Sequence, residues 1–145
     1  MKTEYPTTRE IVWRVREAEG DSVNDPGDIC ERMKRIKDEA RESFYVLTAN
    51  SKNRIIDEYL ISLGSLCETI VCPREVFKPA ILDSAFCIFL VHNHPSGDPS
   101  PSPEDFAVTE RLQKASAIVG IRIQDHVIIG SKGFYSFRTS THILE

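Results

Sequence analysis

Apolar positions along the chain repeat with two periods, and each period names an element. "IVWRVRE" sets Ile11, Trp13 and Val15 against Val12, Arg14 and Arg16, the alternation of a half-buried strand, with a short helix as the alternative. "EGDSVND" reads as loop, after which Asp25 can cap a helix and Pro26 can open it. Ile29, Met33, Ile36 and Ala40 mark one face of that helix, which predicts it over 26–40. "SFYVLTA", "NSKN" and "RIIDEYLIS" predict strand, turn and strand, a hairpin built on aromatic and β-branched residues. "LGSLCETIVC" predicts loop followed by a short strand. Pro73 opens the next helix, "PREVFKPAILDS", which Pro79 should kink or shorten because it lacks an N–H. "AFCIFLVHNH" is almost continuously apolar, as a central strand covered on both faces would be. "SPEDFAVTERLQKASAIVG" is the clearest helix. Ser102 caps it, Pro103 takes its first position, Phe106, Leu112 and Ala115 lie on its buried face, and Gly120 ends it. "IRIQDHVIIG", "SKG" and "FYSF" predict strand, turn and short strand, and the tail from Arg138 shows no pattern. Helices and strands intermix without repeat or linker, so the expected architecture is a single α/β domain of layered type.

Composition narrows the class without changing that picture. The chain has 145 residues, 41% hydrophobic and 28% charged, which suits one globular domain with a real core. No run reaches the roughly 18 apolar residues of a membrane span, and "MKTEYPTTRE" has no signal-peptide pattern, so the expected location is cytoplasmic, with no membrane partner. The four cysteines, Cys30, Cys67, Cys72 and Cys87, form no CxxC pair and read as free or buried thiols. Net charge is −4, which argues against broad contact with nucleic acid, since such binding rests on neutralising phosphates. The one basic stretch, "RMKRIK", alternates with Met33 and Ile36 and reads as the solvated face of a helix.

The stretch "FLVHNHPSGDPSPSPEDF" carries the candidate chemistry. Side chains two apart on a strand share a face, so His92 and His94 can reach one ion while Asn93 turns away. Zinc needs at least a third protein ligand, and Asp105, on the first turn of the following helix, is the nearest candidate. Pro95, Gly97, Pro99 and Pro101 stiffen a connection able to fold that turn back over the strand end. Two histidines, a carboxylate and an open position would make a hydrolytic zinc site. A structural reading stands beside it: Ser102 and Asp105 spell S-x-x-D, a capping-box pair that needs no metal. His126 reads as a hydrogen-bonded strand residue, and His142 lies in the tail.

His92, His94, Ser102 and Asp105 match the spacing of the JAMM motif, H-x-H-x7-S-x2-D, of MPN/JAB metallopeptidase-like domains. "NSKNRII", "CPREVFKPAI", "VHNHPSGDPSPSPEDFAVTERL" and "DHVIIG" further resemble segments of the RadC family, over about residues 23 to 137. The resemblance implies a cytidine-deaminase-like JAB/MPN fold, a mixed α/β (α+β) sheet with flanking helices. It also implies one Zn2+ per chain. It divides the chain into an N-terminal extension, 1–22, and a RadC-like domain, 23–145. JAMM hydrolases use an upstream glutamate as general base, a place that Glu42 fills, with Glu75 of "PREVF" as its rival. By the same resemblance His92, His94 and Asp105 hold the metal and Ser102 hydrogen-bonds the oxyanion of a peptide or isopeptide substrate. RadC proteins also carry a DNA-repair label, so a repair factor acting on or near nucleic acid is one alternative, and a noncatalytic MPN interaction module is another. Family members commonly place a helix-hairpin-helix region before this domain, for which 145 residues leave no room, and the expectation of DNA binding is correspondingly weak. A zinc nucleoside deaminase would need H-x-E and P-C-x-x-C, and neither occurs.

Overall fold

Five strands form one mixed sheet in the order β2-β1-β3-β4-β5. In this computed structural model residues 17–64 and 71–144 are described. The strands are β1 (Ser43–Ala49), β2 (Ile55–Leu63), β3 (Cys87–Asn93), β4 (Arg122–Gly130) and β5 (Gly133–Ser136). The helices are α1 (Pro26–Arg32), α2 (Pro73–Leu82), α3 (Pro103–Val119) and α4 (Phe137–Ser140). β3 and β4 run parallel, joined by α3 as a crossover, and the remaining pairs are antiparallel. The strand predicted at "IVWRVRE" and most of the loop and strand predicted at "LGSLCETIVC" lie outside the described residues.

Every residue of β3 is buried, which explains its unbroken apolar run. Ile88 and Leu90 point into a core shared with Phe77 and Leu112 of α2 and α3. Cys87, Phe89 and Val91 point into the opposite core with Ile29 of α1 and, beyond that helix, Met33 and Ile36. His92 has the parity of Leu90 and Asn93 that of Val91, so the strand sends its histidine toward α3 and its asparagine toward the other layer.

Three elements differ from their predicted extents. α1 stops at Arg32, and a 3₁₀ turn at Lys34–Ile36 follows, whereas a helix over 26–40 was expected. The 3₁₀ repeat of three residues keeps Met33 and Ile36 on one buried face, and Ala40 is left exposed. α2 runs through Pro79 to Leu82, with Pro79 buried on its core side. Phe137, assigned from the sequence to the last strand, instead opens α4. Among the described residues Cys30, Cys72 and Cys87 are free thiols, and no helix is long and apolar enough to cross a membrane.

The capping residues behave as their chemistry requires. The Asp25 carboxylate accepts from the Gly27 amide at 2.7 Å and closes a capping box with Asp28. Gly120 ends α3 in the left-handed region at φ 79°. The loop after β3 turns at Gly97, φ 88°, whose carbonyl accepts from the Lys132 amide at 3.0 Å in the β4–β5 turn. A Cβ on Gly130 would stand 2.3 Å from that carbonyl oxygen, so backbone meets backbone there with no space for a side chain. Gly130→Ala should therefore destabilise the fold by about 1–3 kcal/mol, the cost of overpacking, read as a lowered midpoint in denaturant unfolding. An unchanged midpoint would show that the loop can move away freely.

Candidate metal centre

Glu42, His92, His94 and Asp105 each offer one ligand atom, and these atoms lie within 4.8 Å of one another. β1 begins one residue after Glu42, β3 ends with His92 and Asn93, and Asp105 stands in the first turn of α3. The His94 amide donates to the Ile129 carbonyl at 2.9 Å, which extends the β3 alternation by one residue and keeps His94 on the face of His92.

The carboxylate of Asp105 serves two structures at once. Its Oδ2 accepts from the Ser102 amide at 2.8 Å, while the Ser102 hydroxyl accepts from the Asp105 amide at 3.2 Å, a complete capping box. The same Oδ2 lies 3.0 Å from His94 Nε2, and Oδ1 lies 3.1 Å from His92 Nε2. The capping and ligand readings of S-x-x-D are therefore compatible. Glu42 Oε1 stands further out, at 3.8 Å from His92 Nε2 and 3.9 Å from His94 Nε2. Glu75 is exposed in the first turn of α2 and faces Arg74 at 3.5 Å, apart from the cluster.

Asn93 has a use that its sequence position concealed. Its Oδ1 accepts from the Ser43 amide at 2.7 Å and from the Ser43 hydroxyl at 2.9 Å, and its Nδ2 donates to the Arg41 carbonyl at 2.9 Å. One side chain thus clamps the backbone on both sides of Glu42, whose own carbonyl accepts from the Gly64 amide at 2.7 Å. Consecutive residues of β3 therefore hold the histidine pair on one face and the glutamate's backbone from the other.

The histidines are oriented from outside the cluster. His94 Nδ1 lies 2.9 Å from the Asp98 carbonyl, an acceptor, so this nitrogen carries the proton. His92 Nδ1 meets His126 Nε2 at 2.7 Å. His126 is the hydrogen-bonded strand residue that the sequence suggests; its partnership with His92 follows only from the parallel register that seats it beside Leu90.

Charge around the centre is strongly coupled. Burial would raise the carboxyl of Asp105, but hydrogen bonds from His92 and His94 outweigh it and hold the group far below the usual carboxylate range. Burial lowers His94, yet its bonds to Asp105 and the Asp98 carbonyl, with the charges of Asp105 and Glu42, raise it overall. Complete burial, with His92 nearby, pushes His126 well below its ordinary value and keeps it neutral.

Two imidazoles and two carboxylates within this radius form a group able to bind a metal ion. The match to a family model described as the RadC-like JAB domain, over residues 23–142, decides the lineage. The chain belongs to the RadC family. It is 46% identical to a UPF0758 protein of Syntrophotalea carbinolica over 118 residues, covering 81% of this chain and 52% of that protein. Identity to a UPF0758 protein of Geobacter sulfurreducens is 52% over 102 residues, covering 70% and 44%. A third, from Caldanaerobacter subterraneus, is 49% identical over 130 residues, covering 83% and 56%. The RadC chain therefore spans about half the length of the curated relatives it matches.

Two outcomes check the centre. Asp105→Asn preserves an acceptor for the Ser102 amide but removes the negative charge, so it should keep helix α3 and lose most bound metal, read by elemental analysis beside circular dichroism. Full metal content in that variant would reduce Asp105 to a cap. Because His94 holds its proton more firmly than a free imidazole, metal must displace that proton, and affinity should weaken as pH falls from 8 to 6. Chelator competition across that range measures the slope; a flat profile would remove His94 from the ligand set.

Proposed function

We propose that this RadC domain is a metal-dependent hydrolase that cleaves peptide or isopeptide amide bonds, with one zinc ion held by His92, His94 and Asp105. The donor set suits the ion, because two imidazoles and a carboxylate are the ligands of open, three-residue zinc sites. When bound, zinc supplies a Lewis acid that polarises a carbonyl and acidifies water near neutral pH.

The remaining work falls to the protein. The observation that carries the proposal is the difference in reach between the two carboxylates. Asp105 approaches both Nε2 atoms to about 3 Å, whereas Glu42 stops at 3.8 and 3.9 Å. On this reading the nearer carboxylate ligates, while the farther leaves room for a water molecule and takes its proton at Oε1. Glu42 is half-buried, so it faces both the cluster and the approach of a substrate. The Ser102 oxygen is engaged as an acceptor in the helix cap, and its hydroxyl proton is directed by no bond in that cap. That proton would donate to the oxyanion that develops on the substrate carbonyl. An amide substrate needs a groove beside the cluster and no positive field, which agrees with a net charge of −4.

Glu42→Gln separates base from ligands. It should retain zinc and fold while losing amide cleavage by about 10²- to 10⁴-fold, the usual contribution of a general base. Glu75→Gln, exposed on α2, should leave cleavage unchanged. The assay pairs a peptide and isopeptide library with structured DNA, both with zinc present. Undiminished cleavage by Glu42→Gln would remove the assigned base. Tight, salt-sensitive DNA binding, or Glu42-dependent DNA cleavage, would replace the amide hydrolase with a nucleic-acid function.

A further inference from the structure

Beyond the cluster, a line of buried polar groups runs from α3 through β4 to β3. The Thr109 hydroxyl lies 2.7 Å from the Asp105 carbonyl, one turn back along α3, and 2.6 Å from His126 Nδ1. His126 Nε2 in turn lies 2.7 Å from His92 Nδ1. Thr109, His126 and His92 are all 0% exposed, so water does not arbitrate between donors and acceptors.

The proton positions follow from counting. A backbone carbonyl can only accept, so the single hydroxyl proton of Thr109 must point at Asp105. Were it turned to His126 instead, two oxygens would face each other at 2.7 Å with no proton between them. The Thr109 oxygen is thereby left as an acceptor, and His126 Nδ1 must be the N–H that donates to it. An ion taken at His92 Nε2 leaves the proton of that ring on Nδ1, and this proton needs a bare Nε2 on His126, which matches the Nδ1–H just assigned. With Nδ1 engaged by His126, the nitrogen that His92 can offer an ion is Nε2, the atom facing Asp105 and His94.

We infer that Thr109 and His126 are positioning residues that hold the proton of His92 on Nδ1, so that Nε2 is the nitrogen given to a metal ion. This inference rests on the reading of the cluster as a metal centre. The direction of the relay is set by the helix itself, because the Asp105 carbonyl that starts it belongs to the residue whose side chain completes the cluster.

Packing holds the relay in register. The His126 ring stacks on Phe137 with centroids 4.8 Å apart and planes 12° from parallel, and Phe44 meets its edge at 5.6 Å. Phe137 is fixed in turn by its neighbours, since the Ser136 hydroxyl and the Arg138 amide both donate to the buried carboxylate of Asp125, at 2.6 and 3.0 Å. The Asp125 side chain also takes the His126 amide at 2.7 Å. The start of α4 thus serves as a wall for the imidazole.

The test reads the protons directly and then their consequence. In protein labelled with ¹⁵N in its four histidines, long-range proton–nitrogen spectra of the metal-free chain should show His126 protonated at Nδ1 and bare at Nε2. Zinc loading should leave that pattern unchanged and keep His92 protonated at Nδ1. Zinc affinity, by chelator competition, should fall about 10- to 100-fold in His126→Leu, the range for loss of a ligand's supporting partner. His126→Gln, which can place a carbonyl oxygen near the lost Nε2, should recover most of that loss, while Thr109→Val should show an intermediate one. A residue serving only to fill space would give the opposite order, with Leu better tolerated than Gln. A proton found on His126 Nε2 in the metal-free chain would overturn the inference even if His126→Leu failed to fold. Wild-type protein that binds no zinc would instead overturn the metal-centre reading beneath it.

Discussion

Asp105 is a carboxylate almost wholly withdrawn from water, and such a group is tolerated only when its oxygens are engaged by donors or by a cation. Here the engagement is divided, with one oxygen shared by the α3 cap and His94 and the other facing His92. The position of α3 over the sheet and the geometry of the cluster are consequently one constraint. A helix shifted along its axis would carry its cap with it, since that cap is internal to residues 102–105, but would lose its contact with the histidines. That shared dependence makes a short proline-rich loop suitable, since Pro95, Pro99 and Pro101 limit the routes by which α3 could wander from the strand end.

What could be read from the sequence was local. The caps at Asp25 and Ser102, the end of α3 at Gly120 and the buried run of β3 depend on neighbours within a few residues, where side-chain chemistry decides the outcome. The alternation placing His92 and His94 together is equally local, and S-x-x-D supplied Asp105. The parts that escaped reading depend on contacts between distant segments. Nothing near His126 says that a parallel register will lay it beside His92, and nothing near Asn93 says that its amide will reach Arg41 and Ser43. The early end of α1 has a different cause, because residues spaced by four and then by three satisfy a helix followed by a 3₁₀ turn as well as one long helix. Phe137 was misassigned because its alternation with Tyr135 suits a strand, while burial of its ring against His126 is settled by tertiary packing.

Asn93 links the two halves of the centre mechanically. Its neighbours His92 and His94 face the candidate ion, and its own amide grips the peptides flanking Glu42. Displacement of the β3 end would therefore carry the histidines and the glutamate together, preserving the offset between near and far carboxylates. The grip also substitutes for sheet bonding at the point where β1 begins, so the chain can leave the ladder without leaving polar backbone groups unpaired in the interior.

The separation of these groups along the chain has a consequence for how the centre assembles. His94 and Asp105 are joined by a connection of about eleven residues, while Glu42 stands fifty residues before His92. Closing the longer loop costs about 1.3 kcal/mol more chain entropy by logarithmic scaling, before stiffness is considered. His92, His94 and Asp105 come from a nearly contiguous unit of β3 and α3, whereas Glu42 reaches them only through the pairing of β1 with β3. The cluster is thus the meeting point of one short closure and one long one, and the long one alone brings in Glu42.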